Sequence, residues 1–253
     1  MDFQTLVIIT GAVVAGFVQG LSGFAFGMVA LSFWAWAVDP KLAAAMAVCG
    51  ALTGQVVAAV TVRRGFDWRV LAPFLAGGLA GIPLGLFLLP RMDVNLFKAF
   101  LGALMVVWCP AMIFSNRLPR ITAGGSGANA AVGAMGGVMS AIGGFAGVIP
   151  TLWCTLRGYE RDKQRAIIQN FNLSILAVTF ITYLATGLIS RETLPMLALV
   201  IPAMLVPSLL GARLYIGISD LAFRRIVLGL LTASGVALLM SSVPTLLASQ
   251  MRG

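Results

Sequence analysis

Serine, glutamine and asparagine side chains inside glycine-rich apolar stretches are the most informative residues of this 253-residue chain. Gly20-Leu21-Ser22-Gly23 matches G-x-S-G, a motif in which serine can act as a nucleophile. That chemistry needs a general base, and the chain contains no histidine to supply one. Histidine metal sites and histidine acid–base catalysis are excluded for the same reason. The sequence therefore predicts that the chain is not an enzyme and uses no cofactor or metal.

Hydroxyl, amide and backbone N–H groups can instead bind an oxyanion without any charged side chain. Two glycine-rich stretches, 16–27 and 136–147, interrupt long apolar segments. Paired broken helices in transporters direct their N-termini at an anion near the membrane midplane. The alternative is that these glycines only allow close helix packing. Because two such stretches occur in matching positions, we favour a binding site.

The substrate-binding residues predicted on these grounds are polar or glycine residues in the two stretches and in nearby spans. Arg165, Gln169 and Asn172 fall on one helix face, although such amides can also simply join helices. Arg213 either holds an anionic head group in bidentate fashion or extends to the membrane interface. The full predicted set is Gln19, Ser22, Gly23, Gln55, Ser140, Gly143, Gly144, Gln169, Asn170, Asn172 and Arg213.

The composition requires a membrane protein, because 60% of the residues are hydrophobic and only 10% are charged. Six segments suit one membrane span each: 42–62, 70–89, 96–114, 166–188, 194–217 and 226–247. The segments 3–38 and 128–157 are too long for one span, and each is broken by its glycines. The net charge of +9 indicates cytoplasmic loops and not nucleic-acid binding. The isolated Cys49, Cys109 and Cys154 indicate core packing.

The expected fold is an all-α polytopic membrane protein of about eight helical segments in two four-segment repeats. The predicted divisions are a first transmembrane repeat over 1–114, a connecting loop over 115–127 and a second repeat over 128–253. An offset of about 118 residues places Ser22 on Ser140, and Gly85 matches Gly211 further along.

Loop charges indicate how the broken segments run through the membrane. If each segment returns as a hairpin, the halves are inverted and loop cations divide eleven to five between the two sides. If each crosses once, they divide nine to seven. Positively charged loops are retained in the cytoplasm, so the hairpin arrangement is favoured, with both termini outside.

The pattern Gly16-x-x-Gln19-Gly20-Leu21-Ser22-Gly23-Phe24-Ala25-Phe26 resembles the first-half signature of the TauE/SafE sulfite exporter family, the TSUP transporters. The block Gly137-Val-Met-Ser140-Ala-Ile-Gly143-Gly144-Phe145 is similar to its second-half repeat. The resemblance implies a duplicated bundle of about eight helices that transports sulfite, sulfonates or related small organic anions. It also implies that both breaks line the substrate path.

We therefore expect a multi-pass protein of the bacterial inner membrane that transports a small sulfonate, sulfite or carboxylate anion by alternating access. An inside-negative potential drives a monoanion outward, which favours export. An anion channel and an uptake carrier for small carboxylates or sulfonates remain alternatives, and a structural or assembly protein is a third. The lipid bilayer and the anion are the expected partners. Whether the chain forms a homo-oligomer stays open.

Overall fold

The computed structural model describes residues 2–23, 25–61, 65–115, 119–214 and 220–250. Within these ranges the chain forms ten α-helices, one 3-10 turn at Leu89–Arg91 and no strand, so the all-α prediction is confirmed. The helices are α1 (Phe3–Ser22), α2 (Phe26–Trp34), α3 (Pro40–Thr61), α4 (Trp68–Leu88), α5 (Val94–Ile113), α6 (Ser126–Gly143), α7 (Val148–Leu156), α8 (Arg161–Ala185), α9 (Leu194–Leu214) and α10 (Asp220–Gln250).

Seven of the described helices are long and apolar enough to cross a membrane, namely α1, α3, α4, α5, α8, α9 and α10. Six of them correspond to the six simple spans of the sequence. The helix count exceeds eight because each broken segment forms two helices, α1 with α2 and α6 with α7. Aspartates begin two of the spans as N-caps, because Asp67 accepts from the Val70 N–H and Asp93 from the Leu96 N–H.

Each broken segment folds back on itself as a hairpin. At the end of α2, Trp34 Nε1 donates to the carbonyl oxygen of Ile8 near the start of α1, at 3.1 Å. In the second half of α7, Trp153 Nε1 donates to Asn129 Oδ1 near the start of α6, at 2.9 Å. The short arm therefore returns toward the side from which the long arm began. This is the arrangement that the loop cations favour.

Contacts between loops define two faces of the bundle. On the first, here the basic face (65–69, 119–125 and 157–165), Lys163 Nζ lies 3.6 Å from Asp67 Oδ2. On the same face, Arg157 donates to the carbonyl oxygens of Thr122 and Ala123 at 2.9 Å. The opposite face comprises 35–41, 89–93 and 186–193, where Lys41, Pro90 and Gly187 line one surface pocket. Arg63, Arg64 and Arg117, which the charge prediction also counts, lie outside the described residues.

The order of long and short helices in α1–α5 recurs in α6–α10. The glycines at the two breaks, Gly23 and Gly144, lie 121 positions apart, and so do the first residues of α3 and α8. This register aligns Gln19 with Ser140, three residues away from the alignment of Ser22 with Ser140 that the sequence suggested. The register is set by where the backbone turns and not by the identity of a serine.

Small residues on the long hairpin arms fit against helices of the other half. A Cβ on Gly20 of α1 would collide with the Ser208 carbonyl oxygen of α9, and one on Gly211 of α9 would lie 2.4 Å from the Phe17 carbonyl oxygen. In the same way, a Cβ on Gly81 of α4 would collide with the Ala134 carbonyl oxygen of α6. Helix association in lipid relies on such close backbone approach. The α1–α9 and α4–α6 contacts therefore lock the two halves together.

We predict that Gly81→Ala destabilises the bundle, since its methyl group would meet the Ala134 carbonyl oxygen. Overpacking of this kind costs about 1–3 kcal/mol. Thermal unfolding of the purified protein in detergent measures the effect as a lower Tm.

Gly229→Ala is the matched control, because nothing lies within 4 Å of a Cβ at that position in α10. Replacing a helical glycine by alanine there should leave Tm unchanged or raise it, by about 0.5–1 kcal/mol of stability. Equal destabilisation by both substitutions would contradict the proposed packing.

Candidate functional site

Left-handed glycines end both long hairpin arms. Gly23 follows α1 with a φ of 81°, and Gly144 follows α6 with a φ of 72°. Only glycine adopts this backbone conformation without strain, so it can end the helix and reverse the chain. In each case the glycine N–H donates to a carbonyl four residues earlier, that of Gln19 at 2.7 Å and that of Ser140 at 2.8 Å. The two breaks share one backbone design.

Amide side chains from α1 and α3 hold the first break closed. Gln19 Oε1 accepts from the Phe26 N–H at 3.0 Å, which satisfies the first residue of α2. Gln55 Nε2 donates to the Gly23 carbonyl oxygen at 2.8 Å, and Gln19 Nε2 approaches the same oxygen at 3.5 Å. Gln169 of α8 lies next to this break, since a Cβ on Gly23 would be 3.8 Å from its Nε2. Three predicted residues therefore surround Gly23.

The second break is buried and uses its polar side chains differently. Ser140 Oγ and Thr179 Oγ1 are 2.8 Å apart and share a hydrogen bond. Tyr183 donates its hydroxyl proton to the Ala141 carbonyl oxygen at 2.6 Å. All residues from 140 to 148 are buried. A ligand at this position would be enclosed by protein on every side.

The two breaks touch each other. A Cβ on Gly27, in the first turn of α2, would lie 2.7 Å from the Gly143 carbonyl oxygen. Gly144 packs against α3, where a Cβ would be 2.8 Å from the Ala47 carbonyl carbon. Because glycine has no side chain, the backbones at these positions approach more closely than a side chain would allow. The first turn of α2 therefore meets the end of α6 at the second break, in the bundle interior.

One turn of α8 connects the breaks. Gln169 lies beside Gly23. Asn172 lies against Gly147, since a Cβ added to this glycine would be 2.6 Å from Asn172 Nδ2. Both amide side chains are buried, at 6% and 2% exposure. Arg165, which the sequence placed on the same helix face, is exposed near the start of α8.

Two of the predicted residues lie away from this arrangement, Asn170 and Arg213. Ser22 is exposed at the end of α1, next to Gly23, whereas Asn170 donates to the Gly65 carbonyl oxygen on the basic face at 3.1 Å. Arg213 is exposed in the last turn of α9, a position that fits the interfacial alternative better than an anchor inside the bundle. Phe24, part of the first glycine-rich stretch, lies outside the described residues.

Sequence reasoning did not single out three polar side chains of the second break: Thr151, Thr179 and Tyr183. They are buried at 4%, 0% and 0% exposure. A polar residue inside an apolar span is a signal for function, and Thr179 and Tyr183 lie within the span predicted over 166–188. Thr151 offered a weaker signal, because helical threonines commonly bond to their own helix.

The electrostatics of the site come from backbone and neutral side chains. The two half-helices are nine residues long, and their N-termini carry partial positive charge into the interior. None of the side chains placed at either break is charged. Such a centre can hold an anion and release it again, because no full opposite charge binds it.

The family model described as Sulfite exporter TauE/SafE matches residues 8–238 of the chain. No curated protein and no solved structure gives a match. The matched segment begins in α1 and ends in α10, so it contains both breaks and both helices, α3 and α8, that pack on them. The resemblance found in the sequence is confirmed: the chain belongs to the sulfite exporter TauE/SafE family of membrane transporters.

Proposed function

We propose that this protein is a secondary transporter that carries sulfite, an organosulfonate or a related small organic anion by alternating access. The observation that carries the proposal is the contact between the two breaks inside the bundle, where Gly27 in the first turn of α2 abuts Gly143 at the end of α6. From these breaks the short helices α2 and α7 run toward opposite faces. Discontinuous helices that meet near the midplane are the usual anion sites of secondary transporters. The absence of charged side chains among the residues at the breaks also supports an anion that must be released quickly.

Burial of the second break favours a carrier over a channel. Residues 140–148 are enclosed by α3, α8 and the first turn of α2, so the break is occluded. A channel needs a continuous aqueous path in its conducting state, whereas a carrier passes through an occluded state. We therefore favour transport by alternating access over conduction through an open pore.

We predict saturable sulfite flux from proteoliposomes that contain the purified protein. Unlabelled sulfite on the opposite side should accelerate uptake of labelled sulfite, because a carrier returns faster when loaded. Flux that rises linearly with concentration and is not stimulated by counter-substrate would contradict a carrier and would support the channel alternative.

Membrane potential should bias the direction of net flux. We place the basic face in the cytoplasm, and a potential negative on that side favours outward movement of a monoanion by about 2.3 kcal/mol per 100 mV. Potassium gradients with valinomycin impose such a potential on the proteoliposomes. Net flux that is the same at zero and at 100 mV would contradict uncoupled export driven by potential.

We predict that Gly27→Ala lowers sulfite flux about tenfold, because the added methyl would lie 2.7 Å from the Gly143 carbonyl oxygen and push the breaks apart. The control is Gly229→Ala, whose added Cβ would meet nothing within 4 Å and which should transport as the unmodified protein does. Wild-type flux in a correctly folded Gly27→Ala protein would show that the contact between the breaks is not needed for transport.

A further inference from the structure

We infer that the two breaks are not equivalent: the substrate oxyanion binds at the second break, on the N-terminus of α7 with Asn172 and Thr151, and the first break is a closed joint. This inference rests on the proposed function, because it assigns a place to the transported anion. It names one residue, Thr151, that the sequence did not point to.

At the first break, side-chain amides bond to the backbone at the start of α2 and to the carbonyl oxygen of the turn. Gln19 Oε1 accepts from the Phe26 N–H, and Gln55 Nε2 donates to the Gly23 carbonyl oxygen. An anion at the start of α2 would have to displace the Gln19 oxygen and break its bond to Phe26. The side chain of Gln19 therefore takes the place that an anion would need.

The second break lacks such an internal cap. Ser140, which aligns with Gln19 in the helix register, pairs with Thr179 and not with the start of α7. The N-cap residue of α7 is Gly147, which has no side chain to accept from the first N–H groups. The Val148 N–H donates to the Phe145 carbonyl oxygen, the Thr151 N–H donates to the Gly147 carbonyl oxygen, and Pro150 has no N–H, so the first turn of α7 keeps the Ile149 N–H for a ligand.

Two buried polar atoms at this N-terminus have no hydrogen-bond partner among the described residues, Asn172 Oδ1 and Thr151 Oγ1. Asn172 is 2% exposed and lies flat against Gly147, with Oδ1 2.7 Å from where a Cβ would be. Thr151 is 4% exposed and lies on the first turn of α7, where its N–H donates to the Gly147 carbonyl oxygen. Buried polar groups are almost always satisfied, so a bound partner is expected here.

The chemistry of these groups suits a small oxyanion. The threonine hydroxyl can donate, and the amide can present its NH₂ group by a half-turn of its terminal torsion. Together with the Ile149 N–H of α7, they offer a hydroxyl, a side-chain amide and a backbone N–H as donors to one ligand. Tetrahedral and trigonal oxyanions, such as sulfite and sulfonates, accept several hydrogen bonds at short range.

The helix register supplies independent support for the difference between the breaks. Asn172 is the twelfth residue of α8, and the twelfth residue of α3 is Ala51, which is buried and apolar. The same offset of 121 positions aligns Thr151 with Ala30 of α2, which is also buried and apolar. Both unpartnered polar residues are therefore present at the second break and replaced by apolar residues at the first.

The test measures binding of sulfite to the purified full-length protein by calorimetry, with isethionate as a second probe and thermal unfolding in parallel. Asn172→Asp should abolish sulfite binding, because it places a carboxylate against the anion. Thr151→Val should raise Kd about tenfold, the usual effect of losing one hydrogen bond to a charged ligand. It should leave Tm of the unliganded protein unchanged or raised, because it removes an unsatisfied buried hydroxyl.

Matched controls introduce the same changes elsewhere. Asn129→Asp adds a carboxylate at a buried position but keeps the oxygen that accepts from Trp153 Nε1. Thr182→Val removes a hydroxyl that donates to the Val178 carbonyl oxygen of its own helix. Both should bind sulfite with the Kd of the unmodified protein. Gln19→Met should lower Tm, because the Phe26 N–H loses its partner, while the folded fraction keeps its affinity.

The outcomes separate this inference from the proposed function. If the unmodified protein transports sulfite but Thr151→Val and Asn172→Asp bind it normally, the anion lies elsewhere and only the inference fails. A loss of affinity in Gln19→Met without a loss of stability would also overturn it, in favour of the first break. If the unmodified protein neither binds nor transports either probe, the proposed function fails and the inference falls with it.

Discussion

The need to satisfy backbone polar groups inside a membrane determines this structure. Hydrocarbon offers no hydrogen bonds, so a helix can be interrupted there only if the protein itself pairs the freed groups. At both breaks a left-handed glycine donates its N–H to the helix it ends, and polar side chains from neighbouring helices take up further groups. The breaks are consequently the places where the sequence carries amides and hydroxyls among apolar residues.

The hairpins stay in place because their long arms fit against the opposite half of the chain. Glycines of α1 face the backbone of α9, and glycines of α4 and α6 face the backbone of the other helix, so backbones approach where side chains would normally separate them. The glycine-rich stretches therefore combine two roles that the sequence presented as alternatives. Gly20 and Gly137 serve packing, whereas Gly23 and Gly144 reverse the chain. The position of the half-helices depends on both.

Much of this fold is predictable from the sequence, because the six plain spans and the excessive length of 3–38 and 128–157 follow from apolar length alone. Which glycines serve packing and which reverse the chain cannot be predicted in this way, because the sign of φ at a glycine depends on tertiary structure. The site was predicted in part: Gln19, Gln55, Gln169 and Asn172 lie at the breaks, but Asn170, only two positions from Asn172, points to the basic face. Thr151 was missed because a helical threonine usually bonds to its own helix, as Thr155 does to the Thr151 carbonyl oxygen.

The central claim is that each broken segment returns to the side on which it began, and cysteine accessibility tests it most directly. In a chain with Cys49, Cys109 and Cys154 replaced by alanine, single cysteines are placed at the exposed ends of each hairpin. The account predicts that Gly127→Cys and Glu160→Cys react with an impermeant maleimide only after the cells are permeabilised, and that Asp2→Cys and Asp39→Cys react in intact cells. Labelling of Gly127→Cys and Glu160→Cys from opposite sides of the membrane would contradict it.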